Sequence, residues 1–315
     1  VTAYIIRRLA LVLLTVIGIS FLTFSAIRLM PGSFAQQLIT TTGYQGVKSR
    51  AELNHRLGLD QPLVTQYLKW SGNILRGDLG HSLVSGRSVS SDIAQRLPVT
   101  LELGLLSIVV MIAVGLPVGV ISAIRRESPL DYLLRSLSIG LLSIPSYWIA
   151  TLVILYLALW FSYTPPLTYS HLSDNPWRNL QQMWMPALIL GVSGSAALMR
   201  FARTAMLEVL NNDYVRTARA KGMAGRVVIG RHALRNALIP VITLVGLQMG
   251  VIVGGSVIFE QIFSLPGLGV YLLSAVNARD YPQIEAAVLL IATAVVLANF
   301  LTDLAYCAID PRIRY

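Results

Sequence analysis

Residues 101–126 read LELGLLSIVVMIAVGLPVGVISAIRR. Leu101–Ile124 carries one acid, Glu102, at its outset, and then meets the paired arginines Arg125-Arg126. About 20 apolar residues suffice to cross the hydrocarbon of a bilayer as a helix, so this run reads as a span halted by charge. Five further runs have the same character: Leu9–Met30, Leu133–Phe161, Met183–Ala202, Ala237–Phe259 and Glu285–Ile309. The spacing predicts an all-α, polytopic membrane protein with six transmembrane helices. The third run is long and holds Pro145, so a kinked or tilted helix is expected there.

Composition agrees. The chain is 55% hydrophobic and 13% charged, with a mean hydropathy of +0.64, whereas a soluble domain carries about 25% charged residues. A net charge of +10 raises nucleic acid binding as a class, but the distribution argues against it. Eight basic residues crowd between Arg200 and Arg235 against Glu208 and Asp213, and most others flank spans, where they set topology. A single cysteine, Cys307, excludes an internal disulfide and a multi-thiolate metal site.

Charge asymmetry orients the spans. Arg7, Arg8, Arg125, Arg126, Arg135, the 200–235 loop, Arg312 and Arg314 fall on one side. The other side has short loops with Arg178 and Arg279, each near an acid, Asp174 or Asp280. The positive-inside rule then places both termini in the cytoplasm. Arg7-Arg8 before an apolar run resembles a secretory signal, but the run is long and Arg28 and Met30-Pro31-Gly32 follow it, so an uncleaved first span is expected. Between spans one and two, Leu57-Gly58-Leu59-Asp60-Gln61-Pro62 reads as a turn. Val64 to Leu75 has helical spacing, and Ser88 to Asp92 reads as a helix start. A small, mostly helical cap on the outer face is expected.

Several chemistries find no motif. There is no phosphate-binding G-x-x-x-x-G-K-[ST] run and no H-E-x-x-H; Gly191-Val192-Ser193-Gly194-Ser195 fails the G-x-S-x-G pattern at its last position. His55, His81, His171 and His232 are scattered and read as solvated loop residues. Arg28, Glu102, Glu260 and Asp303 lie near span ends, where structural pairs or wetted positions explain them. The span centres hold almost no charge, which disfavours a proton-coupled carrier. Tyr147, Trp148, Tyr156, Trp160, Tyr163 and Trp184 fit an interfacial belt.

Gly246, Gly250 and Gly254 recur at four-residue spacing in span five, and Gly115 and Gly119 form one such pair in span two. Small residues so spaced let another helix approach closely. Packing within the chain and a subunit interface both fit the run of three.

The basic loop between spans four and five is the remaining distinctive element. Asp213 to Gly222 reads as a short helix ended by glycine, followed by a second basic segment, Arg231 to Asn236, and a span led by Ile239-Pro240. This is the build of a docking element, not a catalytic one.

Taken together, these blocks resemble the B-type permease subunits of the oligopeptide/dipeptide/nickel ABC importers. The likeness runs through Tyr4–Leu9, Arg28–Gly32, Leu57–Pro62, Gly77–Ser82, Leu97–Leu103, Tyr214–Pro240, Phe259–Gly269, Arg279–Pro282 and Asp310–Arg314. The resemblance implies a type I permease fold with residues 1–30 as tail and first span and 31–97 as a helical periplasmic insertion. Residues 98–309 would be the permease core with a cytoplasmic loop at 203–240, and 310–315 a cytoplasmic tail. It implies residence in a bacterial inner membrane beside a homologous second permease, two ATPase subunits and an external solute-binding protein. ATP and Mg2+ would reside on the ATPases, and this chain would bind no cofactor. The family's ATPase-docking signature falls on Arg216-Thr217-Ala218, counting back from Gly222, with Arg in place of the leading acid. Tyr214, Arg216, Thr217, Ala218, Arg219, Ala220, Lys221 and Gly222 are the expected coupling residues. Peptides are the implied solute, with nickel, glutathione, opines or sugars carried by related subunits. A self-sufficient carrier or channel is the alternative.

Overall fold

The computed structural model describes residues 2–29, 60–166 and 168–309, with side chains from 5 onward and up to 305. Met30–Gly32, the first half of the Leu57–Pro62 turn and Asp310–Arg314 lie outside the described residues. Those residues form ten helices with no β-strand among them: α1 (Thr2–Leu29), α2 (Leu63–Leu75), α3 (Val89–Ile124), α4 (Pro129–Ser143), α5 (Ser146–Phe161), α6 (Pro176–Leu210), α7 (Asp213–Ala220), α8 (Gly225–Ile262), α9 (Leu268–Ala278) and α10 (Tyr281–Ile309). Five helices are long and apolar enough to cross a membrane, six if the bent pair α4–α5 counts as one span.

That pair corrects the expectation of a kinked third span. α4 and α5 meet at 94°. Pro145 caps α5, and Ile144 before it is extended at φ −104°, ψ 125°. The proline ring excludes its predecessor from the helical region, and Pro145 has no N–H to offer, so the helix stops and restarts. α4 begins equally sharply. Ser128 accepts a hydrogen bond from the Asp131 N–H at 3.2 Å, and Pro129 occupies the first helical position.

By contact the chain divides into two units, Val1–Arg8 with Thr100–Leu265 and Leu297–Tyr315, and Leu9–Val99 with Pro266–Val296. In the first, α3 and α6 touch backbone to backbone. A Cβ on Gly119 would lie 2.6 Å from the Met199 carbonyl oxygen, one on Gly115 2.8 Å from that of Ser195, and one on Gly191 2.6 Å from that of Ser107. Only hydrogen at these positions permits the approach. Two acidic groups of the span ends are also satisfied here. Thr100 donates to the buried Glu260 carboxylate at 2.6 Å, and Arg8 pairs with Asp303 at 3.0 Å. Near the α5–α6 connection, Tyr169 and Asn179 donate to Glu102 at 3.0 and 3.1 Å. Burial, then the Glu102 charge, pushes the Tyr169 hydroxyl well above the usual phenol range.

In the second unit α2 lies on the end of α1. Phe24 is fully buried against Trp70 and Tyr67, with ring centroids 5.2 and 5.5 Å away. Arg28 stacks over Phe24 at 3.4 Å and pairs with the buried Glu285. A core of Val89, Ile93, Leu268, Tyr271, Ala286 and Ala287 joins α3, α9 and α10. Asp280 was expected beside Arg279. Its carboxylate instead accepts from Ser82 Oγ at 2.5 Å and the Leu83 N–H at 3.3 Å, clamping the 82–85 turn. The short outer loop expected after span five contains the helix α9, whose eleven residues are too few to register as a span.

Candidate functional site

α7 stands on the first unit as a small bracket. Its eight residues place Val215 and Ala218 three apart, hence on one face. Val215 is fully buried and Ala218 nearly so, against Val228, with Val209, Leu210 and Met223 around them. The bracket is therefore cemented to the end of α6 and the start of α8. Its opposite face is wet: Tyr214, Arg216, Thr217, Arg219, Ala220, Lys221 and Gly222 are exposed. Of the eight expected coupling residues, all but Ala218 are thus presented outward, and Ala218 is an anchor.

The bracket ends in a Schellman turn. The Gly222 N–H donates to the Arg219 carbonyl at 2.9 Å and the Met223 N–H to that of Ala218 at 3.3 Å. Gly222 adopts φ +74°, the left-handed region that this cap requires, and a Cβ there would meet nothing within 4 Å. The glycine is needed for its backbone conformation, not for space.

α8 departs from the expectation of a proline-led span. Its helix begins at Gly225, runs through the second basic segment and carries Pro240 in its interior. Between Val228 and Leu234 it widens into a π-helix. Just past this stretch the Asn236 amide donates to the Tyr214 hydroxyl at 2.7 Å and to the His232 carbonyl at 3.2 Å, while Tyr214 reaches the same carbonyl at 3.4 Å. These bonds latch the bracket to α8. His232 accordingly belongs to a helix, not to a solvated loop as its position suggested, and its Nε2 is buried without a hydrogen-bond partner among the described residues. Under the latch, Ala123, Ala205, Met206, Ala233 and Ala237 join α3, α6 and α8 in one small-residue core.

A buried ion pair braces α6 beside it. Arg203 donates to both carboxylate oxygens of Asp131, at 2.9 and 2.8 Å; Ser122 and the Glu127 N–H add bonds at 2.5 and 3.1 Å. Asp131 is fully buried. Counting Arg203 among the loop's basic residues overstated the charge offered to a partner. The pattern Ser128-Pro129-Leu130-Asp131, a cap, a first-turn proline and an acid, is the signal that could have placed Asp131 at a helix start.

The three glycines of α8 do not share one packed face. Gly246 is buried and abuts Thr302 of α10, whereas Gly254 is exposed with nothing within 4 Å of its Cβ position. Four-residue steps overshoot a 3.6-residue turn by about 40° each, so Gly246 and Gly254 are rotated well apart.

Residues 115–315 match the family described as binding-protein-dependent transport system inner membrane component, and residues 1–104 match its N-terminal companion. The Dipeptide transport system permease protein DppB of Escherichia coli (strain K12) is 39% identical over 337 residues, covering 99% of this chain and 98% of that protein. The Di/tripeptide transport system permease protein DppB of Pseudomonas aeruginosa (strain UCBPP-PA14) is 40% identical over 335 residues, covering 99% of each. Among solved structures, inward-facing MetNI methionine ABC transporter aligns with a TM-score of 0.55 at 18% identity, over 69% of this chain and 96% of that one. An amino acid ABC transporter solved with histidines aligns at 0.51 and 16% identity, over 70% and 94%. These two support the fold alone. On the sequence matches along its whole length, the chain belongs to the family of binding-protein-dependent transport system inner membrane components, the multi-pass permease subunits of ABC importers.

Proposed function

We propose that this permease carries di- and oligopeptides across a bacterial cytoplasmic membrane, with both termini inside, and is driven through the bracket α7. Its working partners are a homologous second permease, two ATPase subunits that hold ATP and Mg2+, and an external solute-binding protein. The peptide assignment rests on the two DppB relatives, and the driving role rests on the bracket's geometry. One face of α7 is fused to α6 and α8, and the other offers Tyr214, Arg216, Arg219 and Lys221 to a separate body.

ATP binding closes the ATPase pair, and a bracket seated on each ATPase moves with it. Val215 and Ala218 pass the displacement to α6, and the Tyr214 latch passes it to the start of α8. The spans then turn as rigid bodies and alternate the pathway's opening. Nucleotide shifts this equilibrium only as far as the ATPases grip one arrangement better than the other, so a stiff bracket is a requirement of coupling. The exposed arginines and lysine steer assembly toward an acidic cleft more than they set its strength.

Proteoliposomes supply the test. The complete complex, given binding protein and internal ATP, is expected to accumulate labelled dialanine, and this chain alone is expected to pass none. Flux through the isolated chain would establish a carrier or channel and reject the proposal.

A further inference from the structure

The exposed side of α6 carries a polar line. Arg200, Thr204 and Glu208 follow at four-residue spacing and therefore stack on one face over two turns. All three line a cleft of about 480 Å³ whose other walls include Leu142 of α4 and Pro240 and Leu244 of α8. A second hollow of about 350 Å³ shares Arg200 and Thr204 and extends toward Arg135 and Ile139 of α4.

The charges in this cleft are unspent. Arg203, also on α6, is already neutralised by Asp131. The Arg200 guanidinium and the Glu208 carboxylate make no hydrogen bond or ion pair with any of the described residues. Two opposite charges face one cavity with largely apolar walls. A lipid chain would leave both charges without a partner. An anion alone would satisfy Arg200 and be repelled by Glu208. An occupant with a positive and a negative end satisfies both.

The spacing sets its length. Eight residues of helix rise about 12 Å. From those backbone positions the two flexible side chains lean toward each other and close on a shorter occupant with charge-assisted contacts of about 3 Å. Two extended residues span at most about 7 Å and three about 10 Å. We propose that Arg200 and Glu208 form a transit site for short zwitterionic solutes of dipeptide length, Arg200 meeting the terminal carboxylate and Glu208 the terminal ammonium. This deepens, and rests on, the peptide-permease reading. Half-exposed charges bind weakly, which suits a station that must release its cargo.

The test uses the full complex in proteoliposomes with and without phosphatidylethanolamine, fed labelled dialanine. Arg200→Gln and Glu208→Gln are each expected to lower the maximal uptake rate about tenfold, the loss of one charge-assisted contact. Half-saturation, set by the binding protein, stays unchanged, and Arg200→Lys keeps most of the rate. ATP hydrolysis persists, so more ATP is used per dipeptide moved. Wild-type rates in both glutamine variants would overturn the site while leaving the peptide reading intact. A rate that followed phosphatidylethanolamine content, not these side chains, would assign the cleft to a lipid headgroup and overturn it too. No dialanine uptake by the wild-type complex would overturn both readings together.

Discussion

Asn236 and Tyr214, 22 residues apart, are joined by a hydrogen bond of 2.7 Å from the amide nitrogen to the phenol oxygen. Both residues also converge on the His232 carbonyl where the π-helix gives way to α-helix. Tyr214→Phe keeps the ring and deletes the latch. The bond is partly exposed, so the stability cost is about 0.5–1.5 kcal/mol and the protein folds. Uptake is expected to fall several-fold while ATP hydrolysis persists, raising ATP consumed per solute. An unaltered ratio would show that α8 receives its displacement by another route.

Gly222 separates backbone strain from bulk. With φ at +74° and open space around its Cβ position, Ala and Val suffer the left-handed penalty of about 1–2 kcal/mol, while Asn tolerates the conformation. The expected order of uptake is Gly, Asn, Ala, Val. Equal transport by Asn and Val would mean that the Schellman turn does not position α7.

The Asp131–Arg203 pair is buried and bidentate, so removing one partner strands the other. Asp131→Asn and Arg203→Met are each expected to destabilise the purified protein by about 3–5 kcal/mol. The double variant Asp131→Leu with Arg203→Met is expected to recover much of this. Thermal unfolding in detergent reads the difference, and additive losses in the double variant would contradict a paired role.

Opposite signs are expected at two glycines. Gly119→Ala drives a methyl to within 2.6 Å of the Met199 carbonyl and should cost about 1–3 kcal/mol by overpacking α3 against α6. Gly254→Ala meets nothing and should gain up to about 1 kcal/mol from helix propensity in the isolated chain. Gly254→Leu tests a subunit contact: failure to co-purify with the second permease would place Gly254 in that interface, and normal assembly would remove it.

Tyr169 gives a pH signature. Its hydroxyl is held protonated well above the usual phenol value near 10 by burial and by Glu102. The unfolded chain loses this proton first, so the contribution is intact below pH 10 and is lost as pH rises toward the folded value. Tyr169→Phe should flatten the alkaline fall in melting temperature. An identical pH profile would place Tyr169 in water.

Apolar runs exposed the spans in the sequence because hydrocarbon imposes length and composition on each segment independently of its neighbours. The basic helix ended by Gly222 was legible for a related reason, since a Schellman turn is a local backbone property. Pro145 announced a disturbance, but whether a proline kinks a helix or breaks it at 94° depends on what packs around the freed backbone. α9 escaped notice because eleven residues are too few to read as a span.

The amino-acid order alone therefore determined which segments enter the membrane, where charge collects and where α7 stops, all consequences of solvation and local φ preference. Tertiary structure alone decided that Arg203 is spent on Asp131, that Asn236 grips Tyr214 and that Arg200 and Glu208 share a cleft. Those outcomes depend on distances between residues far apart in the chain, and no local propensity encodes them.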